Sequence, residues 1–244
     1  DKYYEDGKKG KENTQLLTEL QKLKIDHIDT LVMTHAHADH IGKADKVIAQ
    51  YGVKELVYNG IPSTSKYFIN ALKAAKANGT QQVKVKAGDV LDFGNGVSFE
   101  IVSPSQSLID EDTAAIKAKK KVDVNNESVV GRLTFGNFAM LFTGDAEGPV
   151  EKDMVASYGK KLKCQVLKAG HHGSKTSSTA EFLKLVQPES VVMSLGVNNQ
   201  YGHPHEALLN RLQKQGIKNI YRTDANGTIT IVSDGSSYSI TTEK

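Results

Sequence analysis

The sequence predicts an α/β protein in which two β-sheets form a sandwich with helices on the outside. The chain has 244 residues and is 39% hydrophobic, which is enough to build one large core. Helical and strand patterns alternate along it. A polar, lysine-rich segment, residues 105–126, separates two halves that are both rich in strands. We therefore expect one domain over residues 1–244.

Periodicity predicts the elements of the first half. Apolar residues at helical spacing indicate helices, and short β-branched or alternating runs indicate strands. The predicted elements are a helix at 11–24, a buried strand at 28–33, helices at 44–51 and 65–77 around a strand at 55–58, and several strands within 82–104.

The second half begins with the lysine-rich segment, in which we expect a surface flap with a short helix at 113–121. Beyond it we predict hairpin strands at 128–134 and 139–143, strands at 164–167 and 190–194, helices at 180–185 and 206–215, and a last hairpin at 228–231 and 238–241.

Composition excludes some classes of protein and of metal site. No apolar run approaches the roughly 20 residues of a membrane helix, so we expect no membrane span in this chain. The single cysteine, Cys164, excludes a disulfide framework and a cysteine-rich zinc site, and we expect it to be buried packing. A metal must then be held by histidine and carboxylate. The net charge of +3, with 28 lysines, is weak evidence for a polyanionic partner.

Seven of the eight histidines fall in three clusters, and each cluster follows a predicted strand. The clusters are His35, His37 and His40 with Asp39, then His171 and His172, then His203 and His205. Alternate residues of an extended segment share a face, so His35 and His37 can bind one ion while Asp39 and His40 bind another. The remaining histidine, His27, is expected to be an ordinary surface residue.

Asp145 follows the predicted strand 139–143 and is the expected bridging ligand, because its two oxygens can contact two ions. His172 either binds an ion or orients His171. The sequence does not choose between His203 and His205, and we favour His205. The hydroxyl-rich residues 174–178 precede a helix and either receive a phosphate or cap that helix.

Several motifs resemble those of a known family. His-Ala-His-Ala-Asp-His at 35–40, Thr-Gly-Asp at 143–145 and Gly-His-Pro-His at 202–205 resemble the metallo-β-lactamase-fold hydrolase superfamily. Four motifs are similar to those of the hydrolase domain of ComEC-type DNA-uptake proteins and their free-standing relatives: Asn-Asn-Glu-Ser at 125–128, Leu-Lys-Ala-Gly-His-His-Gly-Ser at 167–174, Tyr-Gly-His-Pro-His at 201–205 and Arg-Thr-Asp at 222–224. The resemblance implies an αββα sandwich with metals at the sheet edge, and a hydrolase that is thought to be a nuclease in the uptake proteins.

The chain departs from the family pattern in two places. The opening strands and the Asp-x-Gly segment of the family are absent, so we expect the first strands of the fold to be missing from this chain. No histidine lies between His40 and His171, where many members supply one more. Asn125, Asn126, Ser128, a water or His171 could fill that position, and the metal is zinc by ligand type or manganese if oxygen ligands dominate.

The expected function is a hydrolase with two divalent ions, Zn²⁺ or Mn²⁺, which acts as a phosphodiesterase or nuclease on DNA through a metal-activated hydroxide. Asp39, Lys168 and His172 are the candidate catalytic residues, and solvent exposure is an equal alternative for Lys168. The functional alternatives are hydrolysis of a lactam, a lactone or a phosphocholine ester, and a non-catalytic metal-binding module. No stable protein partner is predicted. The resemblance implies an extracellular or cell-surface location in a bacterium, and the residues themselves do not discriminate this from the cytoplasm.

Overall fold

The computed structural model describes residues 2–5, 8–12 and 15–244. The chain forms two compact units: unit 1 comprises Asp1–Val85 and Ser107–Val124, and unit 2 comprises Lys86–Gln106 and Asn125–Lys244. Among the helices described, none has the length and apolarity to cross a bilayer. That both units form one domain stays a prediction.

The helices are α1 Gln15–Lys22, α2 Ala38–Ile41, α3 Ala44–Tyr51, α4 Lys66–Ala77, α5 Gln106–Lys117, α6 Gly148–Tyr158, α7 Ala180–Val186, α8 Glu206–Lys214 and α9 Thr223–Asn226. The strands are β1 Lys2–Glu5, β2 Lys8–Glu12, β3 Thr30–Val32, β4 Glu55–Tyr58, β5 Gln81–Lys84, β6 Val90–Gly94, β7 Val97–Ser103, β8 Val130–Phe135, β9 Phe138–Phe142, β10 Val166–Lys168, β11 Ser190–Met193, β12 Asn219–Arg222, β13 Ile229–Ser233 and β14 Tyr238–Thr242.

Unit 1 contains a parallel sheet of β3, β4 and β5, in that order. Its central strand β4 is almost entirely buried, because the core packs around it. Ile48 of α3, Leu56 of β4 and Ala71 of α4 are fully buried in that core. The end of β3 leads directly into the loop that carries His35 and His37.

Unit 2 contains a seven-stranded sheet in the order β12-β11-β10-β9-β8-β7-β6. Strands β9 to β12 are parallel to one another, and β6 to β9 are antiparallel. The carboxyl ends of parallel strands meet at one edge of a sheet, where α/β proteins commonly bind ligands. The loops after β9, β10 and β11 therefore emerge at the same edge.

The C-terminal hairpin of β13 and β14 covers part of unit 2. Ile231 and Ile240 pack against a buried cluster that includes Phe138, Met140 and Val192. The hairpin is held by apolar contact as well as by its own backbone pairing. It therefore closes the core of unit 2 and takes no part in the histidine clusters.

The structure confirms the predicted α/β fold and most predicted elements. Strand 55–58 and helix 44–51 have the predicted bounds. The flap helix is displaced: it spans Gln106–Lys117 instead of 113–121. Helix α6 was not predicted, since Gly148 and Pro149 together indicate a turn as readily as a helix start.

The beginning of the chain also differs from prediction. Two paired strands, β1 and β2, lie before α1, where no strand was predicted. Helix α1 is shorter than the predicted helix at 11–24, of which residues 13 and 14 lie outside the described residues.

Candidate metal centre

His35 and His37 meet in unit 1, just after β3. The Nε2 atom of His35 lies 3.1 Å from the Nδ1 atom of His37. Two nitrogens bound to one tetrahedral zinc at 2.0–2.1 Å would lie roughly 3.3–3.4 Å apart. His35 is buried, with 4% of its surface exposed. The pair therefore fits two ligands of one ion, as the alternation of an extended segment predicts.

The hydroxyl of Thr34 contacts Nδ1 of both His35 and His40. Its oxygen is 3.0 Å from Nδ1 of His35 and 3.3 Å from Nδ1 of His40. A ring that donates from Nδ1 to this hydroxyl keeps its lone pair on Nε2, which is how metal-binding histidines are usually oriented. The sequence analysis missed this role of Thr34, although the residue lies beside the motif.

Asp39 and His40 belong to the short helix α2, and Nε2 of His40 lies 3.7 Å from Oδ2 of Asp39. Asp39 is exposed over 57% of its side chain and His40 over 12%. The carboxylate therefore has access to solvent while the imidazole is largely buried. Unit 1 brings the four residues of the first motif together.

Asp145, His171 and His172 form the second cluster, in unit 2. Oδ2 of Asp145 lies 3.9 Å from Nε2 of His171 and 3.5 Å from Nε2 of His172. Asp145 is buried, with 2% of its surface exposed. The loops after β9 and β10 thus bring one carboxylate and two imidazoles together, as expected for strand ends at one sheet edge.

In His171 and His172, the ring nitrogen that does not face Asp145 is held by a hydrogen bond. Nδ1 of His171 donates to Oε1 of Glu147 at 2.8 Å, and Nδ1 of His172 donates to the carbonyl oxygen of Ser194 at 2.7 Å. In both rings the lone pair is consequently on Nε2, the atom that approaches Asp145. This donor arrangement fits a divalent cation, since carboxylate and carbonyl partners typically orient metal-binding histidines.

The loop after β10 has an unusual backbone. His171 and His172 have φ of 47° and 54°, in the left-handed region that costs residues other than glycine roughly 1–2 kcal/mol. A side chain at Gly170 would place its Cβ 2.8 Å from the carbonyl oxygen of Ala146 and 2.9 Å from Cβ of Ser177. The strained histidines are therefore held by a close backbone approach that only glycine permits.

Ser128 and Asn126 position the loop that carries Asp145. The backbone N–H of Asp145 donates to Oγ of Ser128 at 3.0 Å, and that of Glu147 donates to Oδ1 of Asn126 at 3.0 Å. Asn125 reaches the same loop, with Nδ2 donating to Oε1 of Glu147 at 3.4 Å. These bonds give the Asn-Asn-Glu-Ser motif a positioning role, and metal contact by Asn126 or Ser128 stays a prediction.

The two histidines of the third cluster differ in their contacts. Nδ1 of His205 accepts a hydrogen bond from the backbone N–H of Lys175 at 2.9 Å, which leaves the proton of the neutral ring on Nε2. His203 lies 5.5 Å from His171 between ring centroids. Burial, followed by the neighbouring histidines, lowers the pKa of His203 to about 4, so its ring is neutral near pH 7. With Nδ1 of His205 engaged as an acceptor, His203 becomes the first candidate of the pair, whereas the sequence favours His205; metal binding by either histidine stays a prediction.

Lys168 ends strand β10 and is partly buried rather than solvated. Its Nζ donates to the carbonyl oxygen of Ala169 at 3.0 Å and to that of Gly144 at 3.5 Å. The carbonyl oxygen of Lys168 in turn accepts from Oγ1 of Thr143 at 2.6 Å. Lys168 therefore ties β10 to the Asp145 loop, and a direct role in catalysis stays a prediction.

The hydroxyl-rich loop is bound to the protein by its own side chains. Oγ1 of Thr176 donates to Oε1 of Glu147 at 2.9 Å, and Oγ of Ser177 donates to the carbonyl oxygen of Ala146 at 2.9 Å. The backbone N–H groups of Ser178 and Thr179 donate to the buried carboxylate of Glu151. Thr179 also caps α7. These contacts favour a role of the loop in capping the helix over a role in binding phosphate.

Tyr201 is an exposed aromatic side chain beside the third cluster. It is 68% exposed, and its ring stacks on that of His203 with 5.8 Å between centroids. Tyr201 belongs to the Tyr-Gly-His-Pro-His motif at 201–205, but the sequence assigned it no role of its own. Its position gives unit 2 an aromatic surface next to the imidazoles.

Two expectations outside the clusters are confirmed. His27 is exposed and contacts Asp26 at 2.6 Å, so it is a surface residue. Cys164 is buried, and burial raises the pKa of its thiol to about 12, which excludes a thiolate near neutral pH. It precedes β10 and does not lie inside that strand.

Comparison with known proteins identifies the family. Residues 10–197 match the model of the metallo-beta-lactamase superfamily. ComE operon protein 3 of Bacillus subtilis is 37% identical over 206 residues, 84% of this chain and 24% of that protein. Competence protein ComA of Neisseria gonorrhoeae is 33% identical over 216 residues, 88% of this chain and 27% of that protein. The chain thus spans about a quarter of the length of these relatives.

A solved structure agrees on the fold. Igni18, a metallo hydrolase from the archaeon Ignicoccus hospitalis, superposes with a TM-score of 0.50 at 16% identity, over 88% of this chain and 80% of that one. The resemblance to ComEC-type proteins that the motifs indicated is confirmed by the competence proteins. The chain belongs to the metallo-β-lactamase superfamily, whose members are generally metal-dependent hydrolases and often bind two divalent ions.

Proposed function

We propose that the chain is a metal-dependent phosphodiesterase that hydrolyses DNA with two divalent ions. The observation that carries the proposal is the convergence of two imidazoles, with their Nδ1 atoms engaged, on the buried carboxylate of Asp145. Family membership supports hydrolysis. The competence proteins among its relatives support DNA as the substrate.

The proposed ligands are the side chains that each unit brings together. In unit 1 they are His35, His37, Asp39 and His40; in unit 2 they are Asp145, His171, His172 and His203, with His205 as the alternative to His203. The bridging role of Asp145 remains part of the proposal, and the superfamily's frequent use of two ions supports it. Bound zinc or manganese would lower the pKa of water and polarise a phosphoryl oxygen.

The chain's own residues would prepare this chemistry. Glu147 and the Ser194 carbonyl accept hydrogen bonds from Nδ1 of the two imidazoles, which fixes the ring orientation and directs Nε2 towards Asp145. Ser128 fixes the backbone of Asp145. Asp39, which is exposed over 57% of its side chain, is the proposed proton acceptor in unit 1, and Lys168 is the proposed cation in unit 2.

The proposed setting follows from the relatives. We infer a role in DNA uptake or processing, with a cell-surface or extracellular location in a bacterium, as part of a protein like the longer competence proteins. The alternatives of lactam, lactone or phosphocholine ester hydrolysis have no specific support in the geometry.

Substitution of Asp145 tests the proposed function. The chain is loaded with zinc or manganese and assayed for hydrolysis of single-stranded DNA and of bis-p-nitrophenyl phosphate. Asp145→Ala should remove at least about 99% of both activities, because a shared ligand is lost. Asp153→Ala, an exposed aspartate of α6, should retain them. Wild-type activity in Asp145→Ala would refute the proposal.

A further inference from the structure

Unit 1 contains a pocket of about 510 Å³ that is separate in sequence from the histidine clusters. Its buried lining is apolar and includes Ile61 and Phe68, which are 2% and 8% exposed. Lys73, Lys76 and Lys84 also line it, and all three are exposed. An apolar interior surrounded by ammonium groups suits a ligand that has both an apolar ring and negative charge.

The charge around this pocket is strongly one-sided. Residues 56–88 contain five lysines and neither aspartate nor glutamate. Within the described part of the chain, Lys73, Lys76 and Lys84 make no ion pair with an acidic side chain. The field of these lysines is therefore not neutralised locally, although the whole chain carries a net charge of only +3.

Two structural features hold the lysines at the pocket. Lys73 and Lys76 are three residues apart on α4, so their side chains are neighbours on one helix face. Gly60 has φ of 78°, and a Cβ there would lie 2.9 Å from Cδ of Lys84. The stem of Lys84 thus packs over the bare backbone of Gly60, which directs the side chain across the pocket from β5.

We propose that this pocket is a binding site for single-stranded DNA, with one unpaired base in the apolar interior and the neighbouring phosphates on Lys73, Lys76 and Lys84. Proteins that bind single strands combine a cationic groove with apolar or aromatic surfaces that take bases. A duplex cannot offer a base to a pocket without unpairing it. The inference rests on the proposed function. It gives the same DNA substrate a second contact surface, which includes none of the proposed metal-binding residues.

Binding is measured without hydrolysis. A fluorescein-labelled 20-nucleotide oligothymidine is titrated with the full chain in EDTA, and anisotropy is read at several salt concentrations. The triple variant Lys73→Gln, Lys76→Gln and Lys84→Gln should bind about tenfold more weakly or worse. Its plot of log affinity against log salt should be shallower by about 2, since each phosphate contact contributes about 0.7 for a single strand.

A matched triple variant controls for total charge. Lys160→Gln, Lys161→Gln and Lys184→Gln removes three exposed lysines of unit 2. It should bind like the wild type. Equal losses in the two triple variants, or wild-type binding by the pocket variant, would overturn the proposal.

A second pair of variants tests the base pocket. Ile69 lines it and is 38% exposed, so Ile69→Asp introduces a carboxylate at the pocket without disturbing the core. We expect about tenfold weaker binding, which lies within the usual worth of one bound base. Asn70→Asp adds the same charge at the next exposed position of α4 and should bind like the wild type. Identical behaviour of the two variants would overturn the pocket as a base site.

The two proposals fail in different ways. Hydrolysis of bis-p-nitrophenyl phosphate by the metal-loaded chain reports on the ligand clusters, and the lysine and Ile69 variants should retain it. No hydrolysis together with pocket-dependent DNA binding would refute the proposed function and support the binding site. Hydrolysis of bis-p-nitrophenyl phosphate without saturable binding of the oligonucleotide would support the proposed function and refute the binding site.

Discussion

Glu147 accepts a hydrogen bond from Nδ1 of His171, 2.8 Å away, and a second from the hydroxyl of Thr176 at 2.9 Å. One carboxylate, 17% exposed, therefore orients an imidazole and anchors the loop beyond it. The pairing is not visible in the sequence, since 24 residues separate the two side chains.

Glu147→Gln should weaken metal binding by about 10- to 100-fold, the usual effect of removing a carboxylate behind a metal-binding histidine. The glutamine amide can still accept one hydrogen bond but does not stabilise the oriented imidazole as a carboxylate does. Zinc affinity is measured by competition with a chromogenic chelator. Glu181→Gln, exposed on α7, is the control and should bind zinc like the wild type. Unchanged affinity in Glu147→Gln would show that the contact does not orient a ligand.

Ser128→Ala removes the acceptor for the backbone N–H of Asp145. Both residues are buried, so the N–H would lose its partner where water cannot easily replace it, at a cost of about 1–3 kcal/mol. We expect this loss in the free energy of unfolding from urea titration, together with lower activity. Ser157→Ala on the exposed face of α6 should change stability by less than about 0.5 kcal/mol. A neutral Ser128→Ala would contradict the positioning role.

Gly170→Ala should destabilise the chain by about 1–3 kcal/mol, because the new Cβ would overlap the carbonyl oxygen of Ala146 and the side chain of Ser177. Gly148→Ala is the matched substitution, since its Cβ would meet its nearest atom at an ordinary 3.5 Å. Urea unfolding of both variants measures the difference. Equal stability of the two would mean that the loop before His171 can move aside.

Burial raises the pKa of Glu151 above its ordinary value of 4.5. The folded state then holds this proton more tightly than the unfolded state, so the free energy of unfolding falls as pH rises from 4.5 through the folded pKa. Glu151→Gln cannot titrate and should flatten that part of the stability curve. Urea unfolding of the wild type and of Glu151→Gln between pH 4.5 and pH 8 measures how the free energy of unfolding changes with pH. If Glu151→Gln kept the wild-type dependence of the free energy of unfolding on pH, a group other than Glu151 would cause that dependence.

The positions of the first-motif residues and of Asp145, His171 and His172 were predictable because each follows a strand with a clear apolar pattern. Strand 55–58 was predicted with its bounds for the same reason. Local periodicity reports which residues face a core, and it therefore also indicates where a strand ends and a loop begins.

The contacts behind these residues could not be predicted in this way. Glu147 and Glu151 are single polar residues whose partners are distant in the chain, so no local pattern marks them. Thr34 contacts His35 and His40 within its own motif, but a lone threonine there carries no pattern that indicates the contact. The difference between His203 and His205 depends on a backbone N–H donated by Lys175, 30 residues away in the chain. The flap helix was predicted too late in the chain. The acidic residues in the first part of α5 form a polar pattern that is as typical of a loop as of a helix.

The metal content of the loaded chain tests the central claim most directly. The chain is incubated with excess zinc or manganese, desalted and analysed by inductively coupled plasma mass spectrometry. The proposal predicts two ions per chain in the wild type. Asp145→Ala should retain fewer, and Asp153→Ala the same number as the wild type. Less than one ion per wild-type chain with both metals would contradict the claim.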